Sequence, residues 1–299
     1  MINKPKNTNL WIAVYIYHPP EKADVFLQEI IAPLTLQLTA QNLFDLFHFI
    51  RYQDVKGTHI RYRCRCTDET TFLACKKSMQ HFLFETDQDF DFHTYEPEHI
   101  RYGGITGLML METIYHFSSK QVLSILSENK NWEYAHALSS ALKLHQDLVF
   151  QLNFSKEEAA VFFQLLTDEW TKANIILSDS NLKNQDVSKY VKVYKNAFQE
   201  VFKKSDVQTS LQHQWENTDY FNGYNNGEMI NACMTLESSV ALLDNSAIKN
   251  YTWNNINDEE TKLFWSLLAD VLHFSNNRLG LQNWDEPLIN YMIYSSLKT

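Results

Sequence analysis

The run Gly57-Thr58-His59-Ile60-Arg61-Tyr62-Arg63-Cys64-Arg65-Cys66 carries an arginine at every second position from Arg61 to Arg65. Side chains of an extended strand alternate between its two faces, so His59, Arg61, Arg63 and Arg65 share one face and Ile60, Tyr62, Cys64 and Cys66 the other. Three guanidiniums on one face repel one another, and the run holds no acidic residue to neutralise them. Arginine grips a carboxylate or phosphate through paired N–H donors, so such a row suits capture of a small anion. A solvated polar sheet face, with helices over the apolar side, would show the same alternation. Arg51, on the preceding aromatic run, and Arg101 extend the basic cluster.

A second constellation is Tyr95-Glu96-Pro97-Glu98-His99-Ile100-Arg101-Tyr102-Gly103-Gly104. The paired glycines permit backbone conformations closed to other residues, and Glu98 is placed to orient Arg101 by an ion pair. The bland alternative is a capped turn, but strand ends are also where sites are built. The third is His273-Phe274-Ser275-Asn276-Asn277-Arg278-Leu279-Gly280, late in a helix. His273 and Asn277 share a helical face, Arg278 lies beside them, and Gly280 suits the position just past the helix. A lone helical histidine is more often structural than catalytic.

Other candidates are weaker. Glu112 and His116 have i, i+4 spacing, but no second ligand pair and no HExxH completes a metal site, so no metal is expected. Cys64 and Cys66 read as core residues. No GxGxxG, P-loop or GxSxG occurs. No cofactor is expected.

The chain's 299 residues, 44% of them hydrophobic, are enough for one large core or two unequal ones. A formal net charge of −10 argues against broad binding to a phosphate backbone, so no nucleic-acid partner is expected. Four cysteines without CxxC spacing do not make a disulfide framework. The opening MINKPKNTNL lacks a signal-peptide apolar core, and no stretch is apolar for long enough to span a bilayer. The expectation is a cytoplasmic protein without membrane insertion; homodimer formation is left open.

The elements that must position these residues follow from periodicity. A β-branched and aromatic run over 10–18 stops at Pro19-Pro20. Residues 21–41 have helical spacing, with Pro33 expected to kink or break the helix. Runs 43–53 and 58–66 flank Asp54-Val55-Lys56-Gly57, a tight-turn sequence, and so predict a hairpin. Residues 68–85 predict a helix capped by Thr67 or Asp68, and 89–95 a fourth strand. The order βαββαβ is the ferredoxin-like split-βαβ arrangement. Helical patterns then fill 106–128, 131–152, 155–174, 186–204, 228–244, 259–279 and 285–297. The fold class is α+β, with a ferredoxin-like part over 1–103 and a helical part over 104–299 that can form one integrated domain. The polar stretches 177–186 and 216–227 are candidate lids.

Taken in order, FHFIRYQD (47–54), GTHIRYR (57–63), YEPEHIRYGG (95–104), METIYHFSSKQVL (111–123) and LHFSNNRL (272–279) resemble the C-terminal domain of lantibiotic dehydratases, also called the thiopeptide-type bacteriocin biosynthesis domain. The resemblance runs from about Trp11 to the end of the chain. It implies a lyase of lanthipeptide (ribosomal peptide natural product) biosynthesis that eliminates glutamate from glutamylated Ser or Thr of a precursor peptide, leaving dehydroalanine or dehydrobutyrine. It also implies a separate tRNA-dependent glutamylating protein as partner, with this chain the stand-alone elimination component.

By the same resemblance the family's elimination arginines match Arg61, Arg63 and Arg101, its catalytic histidine matches His273, and Glu98 matches the motif's acidic residue. His59, Arg51, Tyr102, Asn277 and Arg278 lie in or beside the same motifs as supporting residues. Elimination must remove a weakly acidic Cα proton and expel a carboxylate, which cations and a near-neutral histidine assist. Thiopeptide cyclases share the scaffold and join two dehydroalanines in a formal cycloaddition; retention of every elimination arginine and the histidine favours elimination. A third reading is a precursor-peptide-binding adaptor that accepts an extended leader at a sheet edge.

Overall fold

The computed structural model describes residues 10–180, 184–203, 227–244, 253 and 256–298. Strand β1 (Leu10–Tyr17) leads through a 3-10 turn (Pro20–Lys22) into α1 (Ala23–Phe26), a π-helical turn (Leu27–Ile31) and α2 (Ala32–Ala40). Pro33 can neither donate to the carbonyl four residues back nor pack against it, and the chain answers by widening the turn before it, so the helix continues through a π segment. Strands β2 (Leu46–Gln53) and β3 (Thr58–Cys66) form the predicted hairpin, with the Asp54 carboxylate accepting from the backbone N–H groups of Lys56 at 2.9 Å and Gly57 at 3.3 Å. Helix α3 (Glu69–Glu85) begins at Asp68, whose side chain accepts from Thr71 N–H at 2.8 Å, and β4 (Phe90–His93) follows.

The four strands align in the order β2-β3-β1-β4, every pair antiparallel, which is the ferredoxin-like arrangement expected from the βαββαβ order. In the register, Arg61 lies between Tyr15 and Ile50, Arg63 between Ala13 and His48, and Arg65 between Trp11 and Leu46. The opposite face presents Ile12, Val14, Ile16, Phe47, Phe49, Ile60 and Tyr62, all buried with Leu34, Leu38, Met79 and Leu83 of the covering helices. Its burial is what fixes the register, since a slip of one residue would send the arginines into this core.

Helix α4 (Ile105–Glu128) follows, then α5 (Tyr134–Gln151), α6 (Lys156–Ser178), α7 (Asn184–Lys203), α8 (Gly227–Ser239), α9 (Glu259–Leu279) and α10 (Asp285–Leu297). The α+β reading holds, as do the helices read from periodicity. By contacts the chain forms two compact units. The first joins residues up to Glu98 with Glu112–Trp132, and the second joins His99–Met111 with the chain from Glu133 onward. Of the candidate lids, 181–183 and 216–226 lie outside the described residues. No described helix is long and apolar enough to cross a membrane.

Within the first unit the sheet edge at β2 is closed. His116 Nδ1 lies 3.1 Å from both the N–H and the carbonyl oxygen of Phe47, accepting from the one or donating to the other by tautomer, and the Phe49 N–H donates to Ser119 Oγ at 3.2 Å, so α4 covers this stretch of the edge. His116 therefore serves the backbone of Phe47, and its sequence partner Glu112 accepts instead from the Tyr95 hydroxyl at 2.7 Å.

Candidate functional site

In the first unit the basic row separates by partner. Arg65 makes a bidentate pair with Asp45, Nε to Oδ1 at 2.9 Å and Nη2 to Oδ2 at 2.6 Å. Arg51 projects to the other face of the sheet, opposite Ile60, and binds Asp24 at 2.6 Å. Arg61 and Arg63 form no ion pair among the described residues.

The surroundings of Arg61 hold it without an ion pair among the described residues, although the Asp54 carboxylate, 4.0 Å from His59 Nε2, acts on it through space. Its guanidinium carbon lies 3.3 Å from the Tyr52 ring centroid and 4.6 Å from that of Tyr15, contacts that favour a cation over a ring face. Its Nε donates to His59 Nε2 at 3.2 Å, while His59 Nδ1 donates to the Gly57 carbonyl at 3.1 Å. That pattern needs a neutral ring, and burial lowers the pKa of His59, which is 0% exposed, in the same direction. His59 is thus a positioning residue for Arg61, whose terminal N–H groups stay available.

Arg63 lies over the Tyr95 ring, 5.1 Å from its centroid, and its Nε is buried with no hydrogen-bond partner. A buried N–H left without an acceptor is costly, so an arriving anion meets a site already desolvated. Trp11 borders the same face, 4.8 Å from the Tyr95 ring and 5.4 Å from that of His48. Glu112, 2% exposed beneath Tyr95, has its pKa raised by burial, against the Tyr95 hydrogen bond and the Arg65 and Arg63 charges, which act to lower it. Tyr95 and Glu112 were not singled out as a pair by the sequence, where 17 residues separate them.

In the second unit a 3-10 turn (His99–Tyr102) carries Arg101 and leads through Gly103 and Gly104, at φ of +73° and +96°, into α4. Those backbone angles strain any residue with a Cβ. Gly107, one turn on, is required for space: a Cβ there would lie 1.7 Å from the Tyr102 carbonyl oxygen. Tyr102 itself is buried. Arg101 forms a fork with Asp270 of α9, Nε to Oδ2 at 3.0 Å and Nη2 to Oδ1 at 2.8 Å, and its guanidinium carbon is 5.5 Å from the Phe274 ring centroid. Glu98 is exposed, and the buried carboxylate fixing Arg101 comes from 169 residues downstream.

One turn beyond Asp270, on the same helical face, His273 Nδ1 donates to Glu286 Oε1 at 3.0 Å. Burial acts to lower the His273 pKa, but the Glu286 carboxylate and Asp270 outweigh it and the Arg101 charge, so the net shift is upward. With Nδ1–H committed to Glu286, the neutral ring has its lone pair on Nε2. Glu286 is 6% exposed, sits in the first turn of α10 where the helix dipole favours an anion, and also accepts from Asn276 Nδ2 at 3.2 Å.

The file continues inward. Asn276 Oδ1 is 3.0 Å from His145 Nε2, and His145 Nδ1 is 3.1 Å from the Asn290 side chain. Burial pushes the His145 pKa down to about 4, so its ring is neutral and has one N–H. That hydrogen serves Asn276, and Nδ1 must accept; Asn290 satisfies it with its amide turned to present Nδ2, which otherwise lacks a partner. Glu286 is thereby held from both sides.

Of the supporting residues in this segment, Arg278 is 1% exposed and Asn277 half-buried, with the Asn277 carbonyl accepting from Gly280 N–H at 3.0 Å in the helix cap. The side chain that braces the His273 partner is the neighbouring Asn276. Asp270 and Asn276 stand three residues either side of His273 in the sequence, a spacing that marks them as its neighbours on a helix; Glu286 carries no such signal.

The family described as lantibiotic biosynthesis dehydratase C-term matches residues 11–297. The nisin biosynthesis protein NisB of Lactococcus lactis subsp. lactis is 25% identical over 300 residues, which is 95% of this chain and 25% of NisB. The solved structure of the tRNA dependent lantibiotic dehydratase MibB from Microbispora sp. 107891 superposes with a TM-score of 0.54 at 15% identity, over 98% of this chain and 28% of MibB. The structure of TsrL gives a TM-score of 0.48 at 14% identity, over 97% of this chain and 95% of TsrL. The chain thus spans about a quarter of the length of NisB and of MibB.

Proposed function

Because the chain belongs to the lantibiotic biosynthesis dehydratase C-terminal family, we propose that it eliminates glutamate from glutamylated Ser or Thr residues of a precursor peptide, with a separate glutamylating protein as its partner. The observation that carries this reading is the division among the arginines. Arg51, Arg65 and Arg101 each hold a carboxylate of the protein, whereas Arg61 and Arg63 form no ion pair among the described residues. Two preordered cations on a desolvated aromatic face are what a departing carboxylate needs.

His273 supplies the proton-moving group. Its Nδ1 is anchored by Glu286, which fixes the tautomer, and its upward-shifted pKa favours uptake of a proton near neutral pH. Arg101, anchored by Asp270, and His273 are assigned to the same reaction on the family pattern of PExxRYGG and LHFSNNRL. The formation of dehydroalanine then requires loss of the Cα proton and cleavage of the Cβ–O bond, with glutamate leaving as the carboxylate.

The test is release of free glutamate from a chemically glutamylated peptide by the purified chain. Arg61→Lys and Arg63→Lys should each lower the rate by about 10²-fold or more, the scale of losing a preorganised donor at developing charge. Arg65→Lys, altering a guanidinium already tied to Asp45, should stay near the parent rate. Equal losses in all three variants would remove the basis of the reading. No glutamate release, together with leader loss from a peptide already bearing dehydroalanines, would assign the chain to ring formation instead.

A further inference from the structure

The first unit contains a second cluster that the elimination chemistry does not use. Cys64 and Cys66 alternate onto the core face of β3, and Cys75 meets them from α3, so that the three sulfurs all lie within 4.8 Å of one another. Cys64 Sγ and Cys75 Sγ are 3.6 Å apart. All three are free thiols, at 0%, 3% and 0% exposure for Cys64, Cys66 and Cys75. A small-hydrophobe role explains their burial but not their convergence, since the chain has four cysteines and three of them meet at one point while Cys233 belongs to the other unit.

We propose that this cluster is an oxidation site, in which hydrogen peroxide enters at Cys66 and a disulfide comes to rest between Cys64 and Cys75. Cys66 ends β3 beside the exposed Thr67 and Asp68, so a small oxidant reaches it first. Its sulfur displaces water from peroxide and becomes a sulfenic acid. The Cys75 thiol then attacks that sulfur, forming an S–S bond and releasing a second water, and Cys64 takes over the bond by thiol–disulfide exchange, returning Cys66 to the thiol. Peroxide is reduced to two waters, and two thiols are oxidised to one disulfide.

Charge separates this outcome from a metal site. Three thiolates around a monovalent or divalent thiophilic ion would leave net negative charge in the core. A disulfide is neutral and suits the apolar surroundings. It would join α3 to the strand that carries Arg61 and Arg63, on the face opposite to them.

The experiment uses the whole chain, treated with peroxide, unfolded, alkylated and digested with trypsin. The alkylatable thiols should fall from four to two. The dipeptide Cys64-Arg65 should appear joined to the peptide Cys66–Lys76 through Cys75, and dithiothreitol should release it. The link should vanish in Cys75→Ser, or in Cys75→Ala if the serine variant fails to fold, and persist in Cys233→Ser. The proposal is overturned if all three thiols remain alkylatable, if Cys66 advances only to sulfinic or sulfonic acid, if the bond rests within Cys66–Lys76, or if native mass spectrometry finds a metal ion retained by the three sulfurs.

Discussion

Replacing Glu286 by glutamine removes the charge from beside His273 while keeping one of the two oxygens that hold the ring. With its carbonyl at the Oε1 position, the glutamine can still accept from His273 Nδ1 at 3.0 Å and from Asn276 at 3.2 Å, while the 3.1 Å contact from Nδ1 to Oε2 is lost because an amide nitrogen cannot accept. What is lost is the attraction between imidazolium and carboxylate. A hydrogen bond to a charged partner contributes about 1.5–3 kcal/mol. The His273 side chain is 39% exposed, so solvent screening brings the expected loss to about 1–2 kcal/mol.

The loss must depend on pH in one direction. The folded-state pKa of His273 is raised, so its contribution to stability is complete below the ordinary histidine value of about 6.5 and disappears as pH rises through the folded value. Urea unfolding should therefore show Glu286→Gln destabilised by the full amount near about pH 6 and by little near about pH 9. On a His273→Gln background the same substitution should cost little at either pH. With the carboxylate gone, burial and Arg101 lower the His273 pKa against Asp270 alone, so the basic limb or acidic limb that His273 contributes to the glutamate-release profile should move to lower pH. A Glu286→Gln cost that is the same at both pH values, or a His273 NMR titration that does not move downward, would refute the assignment of Glu286 as the group that sets this histidine.

Three further outcomes follow from the same geometry. Arg101→Ala should destabilise the fold by about 3–5 kcal/mol, because it leaves Asp270, 4% exposed, as an unpaired buried charge; Arg101→Ala with Asp270→Asn should recover much of that in urea unfolding without recovering glutamate release. Gly107→Ala should destabilise by about 1–3 kcal/mol or more by thermal unfolding, although alanine normally stabilises a helix by about 1 kcal/mol over glycine, because its Cβ would meet the Tyr102 carbonyl oxygen. Arg65→Ala should cost about 1–2 kcal/mol by urea midpoint, less than Arg101→Ala, because its bidentate partner Asp45 is partly exposed and stays solvated when the guanidinium is removed.

The parts of this protein that were legible in its sequence are those set by neighbours along the chain. Alternation placed Arg61, Arg63 and Arg65 on one face and the cysteines on the other, and the observed register has them so. Of the two cap candidates Thr67 and Asp68 it is Asp68 that caps α3, and Gly280, at φ +87°, closes α9 as a glycine just past a helix should. Pro33 was legible as a disturbance but not as a π turn, since the backbone could break, kink or widen there and packing chose. Partners distant in sequence were not legible. Nothing near YEPEHIRYGG announces Asp270, nothing near His273 announces Glu286, and Cys75 is brought to Cys64 only when α3 folds over the sheet.

That gap bears directly on which arginines do chemistry. Read as a strand, Arg61, Arg63 and Arg65 are equivalent, because periodicity assigns a face and says nothing of what waits on it. Asp45 then pairs with Arg65, while Arg61 is clasped by tyrosines and a neutral histidine and Arg63 keeps a buried Nε without an acceptor. A cation held by a carboxylate of its own must exchange that partner before it can grip a substrate, and the exchange returns only the difference between two similar bonds. A cation held by aromatic rings and a neutral nitrogen gives up no ion pair when an anion arrives, so nearly the whole of the new interaction is available to the substrate. Equivalence in the sequence pattern and inequivalence in partners together make the Arg65 variant the internal control for the other two.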